Sequence, residues 1–197
     1  MTLRPQASAM LPTHRGNFKM VAFSHKEDDW MPHLALVHEN MNPNEPVLVR
    51  IHSECITGDL FGSKRCDCGD QLNKALILAA EQGGIVLYLR QEGRGIGIIN
   101  KLKAYNLQDK GLNTIDANLH LGLEIDARQY DDALQMLQAL GIKKIRLLTN
   151  NPEKIDAFEN AQIELVSREP LVIAPGKENE DYLATKLHQM GHLLLPE

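Results

Sequence analysis

No stretch of this 197-residue chain approaches the about 20 consecutive apolar residues that a membrane-spanning helix requires. Its start, Met1-Thr-Leu-Arg-Pro-Gln6, lacks the apolar core of a signal peptide, and its cysteines number only three, a poor disulfide framework. A reducing, cytoplasmic setting without a membrane partner is the expectation. Positive charge is short as well: 21 Lys and Arg stand against 26 Asp and Glu, a net charge of -5, so no global field draws nucleic acid. The chain also has no P-loop G-x-x-x-x-G-K-[ST], no complete G-x-G-x-x-G, no internal repeat and no domain-separating linker. One domain over 1–197 is expected, with a polar C-terminal tail from about 175 to 197.

What is present is concentrated. The three cysteines, Cys55, Cys66 and Cys68, fall within fourteen residues. Three thiolates bind zinc tightly and leave a tetrahedral ion one ligand short, and an open fourth position is what separates catalytic from structural zinc. His52, three residues before Cys55, could instead close the site as a Cys3His structural centre. Three thiolates around a divalent ion carry a formal charge of -1, which Lys64 and Arg65 are placed to offset, and Glu54 could relay protons. Other cations, among them Arg50, Arg90, Arg94, Lys101, Arg128 and Lys154, sit in or beside the glycine-rich and cysteine-rich segments, so a polyanion would be held locally.

Val47–His52 reads as a strand that delivers Ser53, Glu54 and Cys55 to its C-terminal end. Leu72, Ala75, Leu76 and Ala79 recur at helical spacing before a stop at Gly83-Gly84. A strand over 85–90 opens into the loop Gln91-Glu-Gly-Arg-Gly-Ile-Gly97, whose backbone N–H groups can approach a ligand closely, and a helix from about 98 to 107 follows. Thr114–Asn118 reads as irregular, 133–140 as a helix and 144–149 as a strand. Asn151-Pro152-Glu153 is a helix start, and 182–190 suggests a closing helix. Strands alternating with helices predict an α/β fold: layers with a mixed β-sheet flanked by helices, and the cysteine loop at a strand end.

Arg50-Ile-His-Ser-Glu-Cys55, Cys66-Asp-Cys-Gly-Asp-Gln71, Arg90-Gln-Glu-Gly-Arg94, Asp126-Ala-Arg128 and Thr149-Asn-Asn-Pro-Glu-Lys154 occur in order, and together they resemble the GTP cyclohydrolase II family over roughly 10–193. The resemblance implies hydrolytic opening of the guanine imidazole ring, with formate and pyrophosphate released and a diaminopyrimidine passed to riboflavin synthesis. It implies one zinc per subunit on Cys55, Cys66 and Cys68, whose water attacks C8, magnesium on the triphosphate, and a homodimer. GTP contacts then fall on Arg50, Ile51, His52, Ser53, Glu54, Gln71, Glu92, Gly93, Arg94, Thr114, Thr149 and Lys154. Tyr105 corresponds to an active-site tyrosine, Asp126 to a proton acceptor and Arg128 to a nucleophile toward the α-phosphorus. A guanidinium is not deprotonated in ordinary settings, so an electrostatic anchor is the alternative for Arg128. Gly95 and Ala127 depart from the residues frequent in the family. Two rivals stand beside this reading: an enzyme that stops at a formamide or only releases pyrophosphate, and a zinc-stabilised nucleotide-binding module without turnover.

Overall fold

A computed structural model describes residues 2–174 together with 176, 187, 191 and 193. Seven strands form one mixed sheet: β1 (Arg4–Thr13), β2 (Gly16–Ser24), β3 (His33–His38), β4 (Val47–Ser53), β5 (Ile85–Leu89), β6 (Lys144–Leu148) and β7 (Glu164–Glu169). Their order across the sheet is β1-β2-β3-β5-β4-β6-β7. From β1 to β5 neighbours run antiparallel, whereas β5, β4, β6 and β7 are mutually parallel. Among the described residues they are accompanied by the helices α1 (Ile56–Asp59), α2 (Cys68–Gln82), α3 (Gly97–Gln108), α4 (Thr114–His120), α5 (Asp131–Ala139) and α6 (Pro152–Asp156). The mixed sheet flanked by helices is the arrangement expected.

The alternation of a strand explains the layers, since successive side chains leave opposite faces. Val49 and Ile51 of β4 join Ile85, Leu87, Leu89, Ile145 and Leu147 in a core closed by Ala133, Met136 and Leu137 of α5. On the reverse face Leu48, Val86 and Leu148 pack against Ala75 and Ala79 of α2. Each large apolar side chain fully buried in these layers stabilises by about 1.5–3 kcal/mol before entropy is set against it. On that same reverse face, Arg50 and His52 continue the row begun by Leu48 and so reach the C-terminal end of β4 beside α2.

One expectation changes. The segment 114–118 is helical rather than irregular: the Asn113 side chain accepts a hydrogen bond from Asp116 N at 2.9 Å and caps α4. Helix α2 begins at Cys68, a turn before the apolar spacing becomes visible, and ends at Gly83 in the left-handed conformation. Asn151 caps α6 by accepting from Glu153 N at 3.0 Å, with Pro152 next to it, as expected. The expected closing helix over 182–190 lies outside the described residues apart from Leu187, as does most of the tail.

Candidate active site at the ends of the parallel strands

The chain segments leaving β4, β5 and β6 emerge at one edge of the sheet, where parallel α/β sheets bind ligands. They surround a cavity of about 600 Å³, a size suited to a nucleotide. Among the described residues, the cationic side chains Arg50, Arg65, Arg94, Lys101, Arg128 and Lys154 line it, against one carboxylate, Glu54. A chain with net charge -5 thus presents a locally positive cavity.

At one end Cys55, Cys66 and Cys68 converge, their Sγ atoms within 4.8 Å of one another and Cys55 to Cys66 at 3.6 Å. Two zinc–sulfur bonds of about 2.3 Å at a tetrahedral angle separate their sulfurs by about 3.8 Å, so the donor set fits zinc. The convergence depends on α1 and α2 touching through glycine. A Cβ at Gly69 would lie 2.4 Å from the Gly58 carbonyl oxygen, and one at Gly58 would meet Cys66 Sγ at 3.1 Å. No fourth His, Cys, Asp or Glu among the described residues joins the cluster. His52 faces elsewhere: its Nε2 lies 3.0 Å from Asp59 Oδ1, and its ring stacks on Tyr88 with centroids 5.6 Å apart. His52 therefore does not close the site as a fourth ligand.

Lys101, not Lys64 or Arg65, is the cation at the sulfurs. Its Nζ donates to Cys55 Sγ at 3.0 Å and to Glu92 Oε1 at 2.7 Å, whereas Lys64 is exposed and Arg65 pairs with Asp109 at 2.7 Å. Hydrogen bonds from Cys66 and Cys68, together with the Lys101 ammonium, hold Cys55 far below the usual thiol value. Through the same contact Cys66 is pushed up to about 11.

Most of the expected GTP contacts line this cavity, but three residues of the predicted set do not. Ile51 is wholly buried in the core, and only its carbonyl reaches the site, accepting from Lys154 Nζ at 2.8 Å. Glu92 is consumed internally: Oε2 accepts from Ile56 N at 2.6 Å, and Oε1 from Gly93 N and Lys101 Nζ, both at 2.7 Å. Asp126 stands behind Arg128 in a two-pronged ion pair, Nε donating to Oδ1 at 2.8 Å and a terminal nitrogen to Oδ2. Burial pushes the Asp126 carboxyl up, but the hydrogen bonds and charge of Arg128 outweigh it and hold it below the usual range.

The others lie at the wall. Arg50 donates to Leu148 O at 3.0 Å and to Gln71 Oε1 at 2.6 Å, and burial pulls its guanidinium down to about 10, still charged at neutral pH. Ser53 donates to Gln91 at 3.2 Å, and Glu54 pairs with Arg90 at 2.7 Å. Thr149 accepts from Asn151 N at 3.0 Å, and Thr114 begins α4 at the far rim. Gly93 and Arg94 form the turn after β5, Arg94 with φ +61°, the one positive φ outside glycine among the described residues. Gly95 sits where a Cβ would come within 3.1 Å of Ala127, so the chain's two departures from the family pattern adjoin. Tyr105 lies between Arg65, 4.8 Å from its ring centroid, and Lys101, 5.8 Å away. Lys101 stands four residues before Tyr105 on α3, a spacing that shares one helix face and was the available signal for it. Arg50 Nε and His52 Nδ1, buried beside the cavity, have no hydrogen-bond partner among the described residues.

Comparison with known proteins agrees with this geometry. A sequence model described as GTP cyclohydrolase II matches residues 4–170. GTP cyclohydrolase-2 of Shewanella halifaxensis is 48% identical over 195 residues, covering 98% of this chain and 93% of that protein, and its namesake from Shewanella baltica is 49% identical with similar coverage. Riboflavin biosynthesis protein RibBA of Bacillus cytotoxicus is 50% identical over 185 residues, and there the chain spans 46% of the relative's length. The cysteine trio, the cation-lined cavity and these relatives lead to one statement: this chain belongs to the GTP cyclohydrolase II family.

Proposed function

We propose that this protein hydrolyses GTP at the imidazole ring, releasing formate and pyrophosphate to give 2,5-diamino-6-(5-phosphoribosylamino)pyrimidin-4(3H)-one for riboflavin synthesis. The observation that carries the reading is the trio of convergent thiols, open on the side of a nucleotide-sized cavity lined by cations. Cys55, Cys66 and Cys68 would hold zinc, which would supply Lewis-acid chemistry for the hydrolysis.

The chain's own groups bind and orient the nucleotide. Arg94, Arg128 and Lys154 meet the triphosphate, whose charge magnesium shares, and Arg50 Nε and His52 Nδ1 give a donor and an acceptor to the substrate. Glu54 and Thr114 supply further polar contacts, and Tyr105 lies against the ring that opens. Asp126 holds Arg128 charged and aimed, which supports a role as electrostatic anchor for the α-phosphate rather than as a nucleophile. Ile51 and Glu92 act through backbone and scaffold, respectively. The proposal extends to a single-domain, cytoplasmic protein that works as a homodimer.

The test is to incubate zinc-loaded protein with GTP and Mg²⁺ and to quantify formate, pyrophosphate and the pyrimidine by mass spectrometry. Equal yields of all three are expected. Pyrophosphate alone, a formamide product, or binding of zinc and GTP without turnover would each overturn the reading.

A further inference from the structure

Three thiolates leave a divalent ion with a formal charge of -1, a poor setting for acidifying water unless a cation stands close. Such a cation is built into the fold. Lys101 is 9% exposed and sits on the first turns of α3, with Nζ 3.0 Å from Cys55 Sγ. A lysine ammonium alone in such a place would be costly, and its anchor is Glu92 at 2.7 Å. Glu92 is fixed in turn by Ile56 N at 2.6 Å, one residue beyond the cysteine, and by Gly93 N at 2.7 Å. The carboxylate's charge is divided among those two amides and the ammonium, and it stands one group farther from the sulfur than the ammonium does. At Cys55 the nearer, positive charge therefore dominates. The other charged or titratable groups around Nζ are Tyr105, on the same helix face, and Arg65, which lies over Tyr105.

We propose that Lys101 is a positioning residue for the metal centre: clamped by Glu92, it donates a hydrogen bond to the Cys55 thiolate and balances the negative charge of the three-sulfur site. This rests on the reading of the cysteines as zinc ligands, and it assigns Glu92 to the clamp rather than to the nucleotide. What Lys101 governs is the electron density on Cys55. A thiolate stripped of its hydrogen bond is more electron-rich, so it gives up an electron to a bound metal at lower energy.

The experiment replaces zinc by Co²⁺ and records the thiolate-to-cobalt charge-transfer band of the wild type, Lys101→Met, Lys101→Arg and Glu92→Gln, with zinc affinity measured by chelator competition. Lys101→Met is expected to move the band to longer wavelength and to weaken zinc binding by about 10–100-fold, the usual cost of removing a partner of a metal ligand. Lys101→Arg keeps charge and donor and is expected to hold the band near the wild-type position. Glu92→Gln, which loosens the clamp without removing the ammonium, should shift it in the same direction by less, and it keeps the test alive if Lys101→Met fails to fold. An unmoved band and unchanged zinc affinity in folded Lys101→Met, or in Glu92→Gln if that variant alone folds, would overturn the proposal, as would a wild type with no thiolate band. A wild type that shows the band but releases no formate from GTP would overturn the proposed function and leave this inference standing.

Discussion

The two halves of the sheet are built to different rules. In the antiparallel half, β1 exposes nine of its ten residues and contributes nothing to the cavity. In the parallel half, β4 is buried in all but its last residue, and the segments leaving β4, β5 and β6 supply most of the site. A strand covered on both faces is held rigidly, and a rigid strand end is where a catalytic constellation is best aimed. The lesson is that the chemistry here sits at the ends of the stiffest elements, while the outer hairpin is free of it.

Breaking the comparison at its strongest point means removing a sulfur. Cys68→Ser is expected to lose bound zinc and abolish formate release while the sheet still forms, as checked by metal analysis and circular dichroism. Next in size, Arg128→Ala should keep zinc yet lower turnover by about 10²–10³-fold, the range for deleting a fixed charge donor, read as formate and pyrophosphate together. A phosphorylated Arg128 trapped during wild-type turnover would instead favour the nucleophile role.

The comparison sharpens with two apolar truncations. Leu87→Ala, at a fully buried position on β5, should cost about 2–5 kcal/mol in urea unfolding. Met10→Ala, at a 57% exposed position on β1, should stay within about 0.5 kcal/mol. Comparable losses would mean that the hairpin carries as much of the fold as the parallel strands.

A further test concerns pH. Burial pushes Tyr130, at the entrance to α5, up to about 12. A phenol that ionises later in the folded than in the unfolded chain stabilises fully below the unfolded value of about 10. That contribution is lost as pH rises through 12, because the unfolded chain sheds its proton first. Tyr130→Phe should therefore flatten the alkaline fall in stability, by at most about 1.4 kcal/mol per pH unit. Parallel stability curves for the two proteins between these pH values would refute the assignment.

How much could be read beforehand follows the same division. β4, β5 and β6 stand out as short apolar runs because both faces are covered, whereas β1, with Pro5, Pro12 and polar residues on both faces, gives no alternating signal. α4 escaped notice because seven residues with one Asn cap carry little periodicity. The cysteine trio was visible from spacing, and Asp126 with Arg128 from resemblance to a family. Lys101 is legible as one cation among several and by its spacing to Tyr105, but its contact with Cys55 is not, since that partner lies 46 residues earlier and the meeting is made by tertiary packing. The Glu-Gly-Arg motif was equally visible, but that Glu92 would spend both oxygens on the chain itself depends on how the turn folds back over α1.

β4 faces two ways, with Val49 and Ile51 toward α5 and Arg50 and His52 toward the cavity. A slip of one residue in its pairing would exchange these sets and drive a guanidinium and an imidazole into the apolar layer, at several kcal/mol for the charged group alone. The strand is therefore its own proofreader: molecules that misplace the binding residues also forfeit the core, so the folded population and the correctly assembled population are the same.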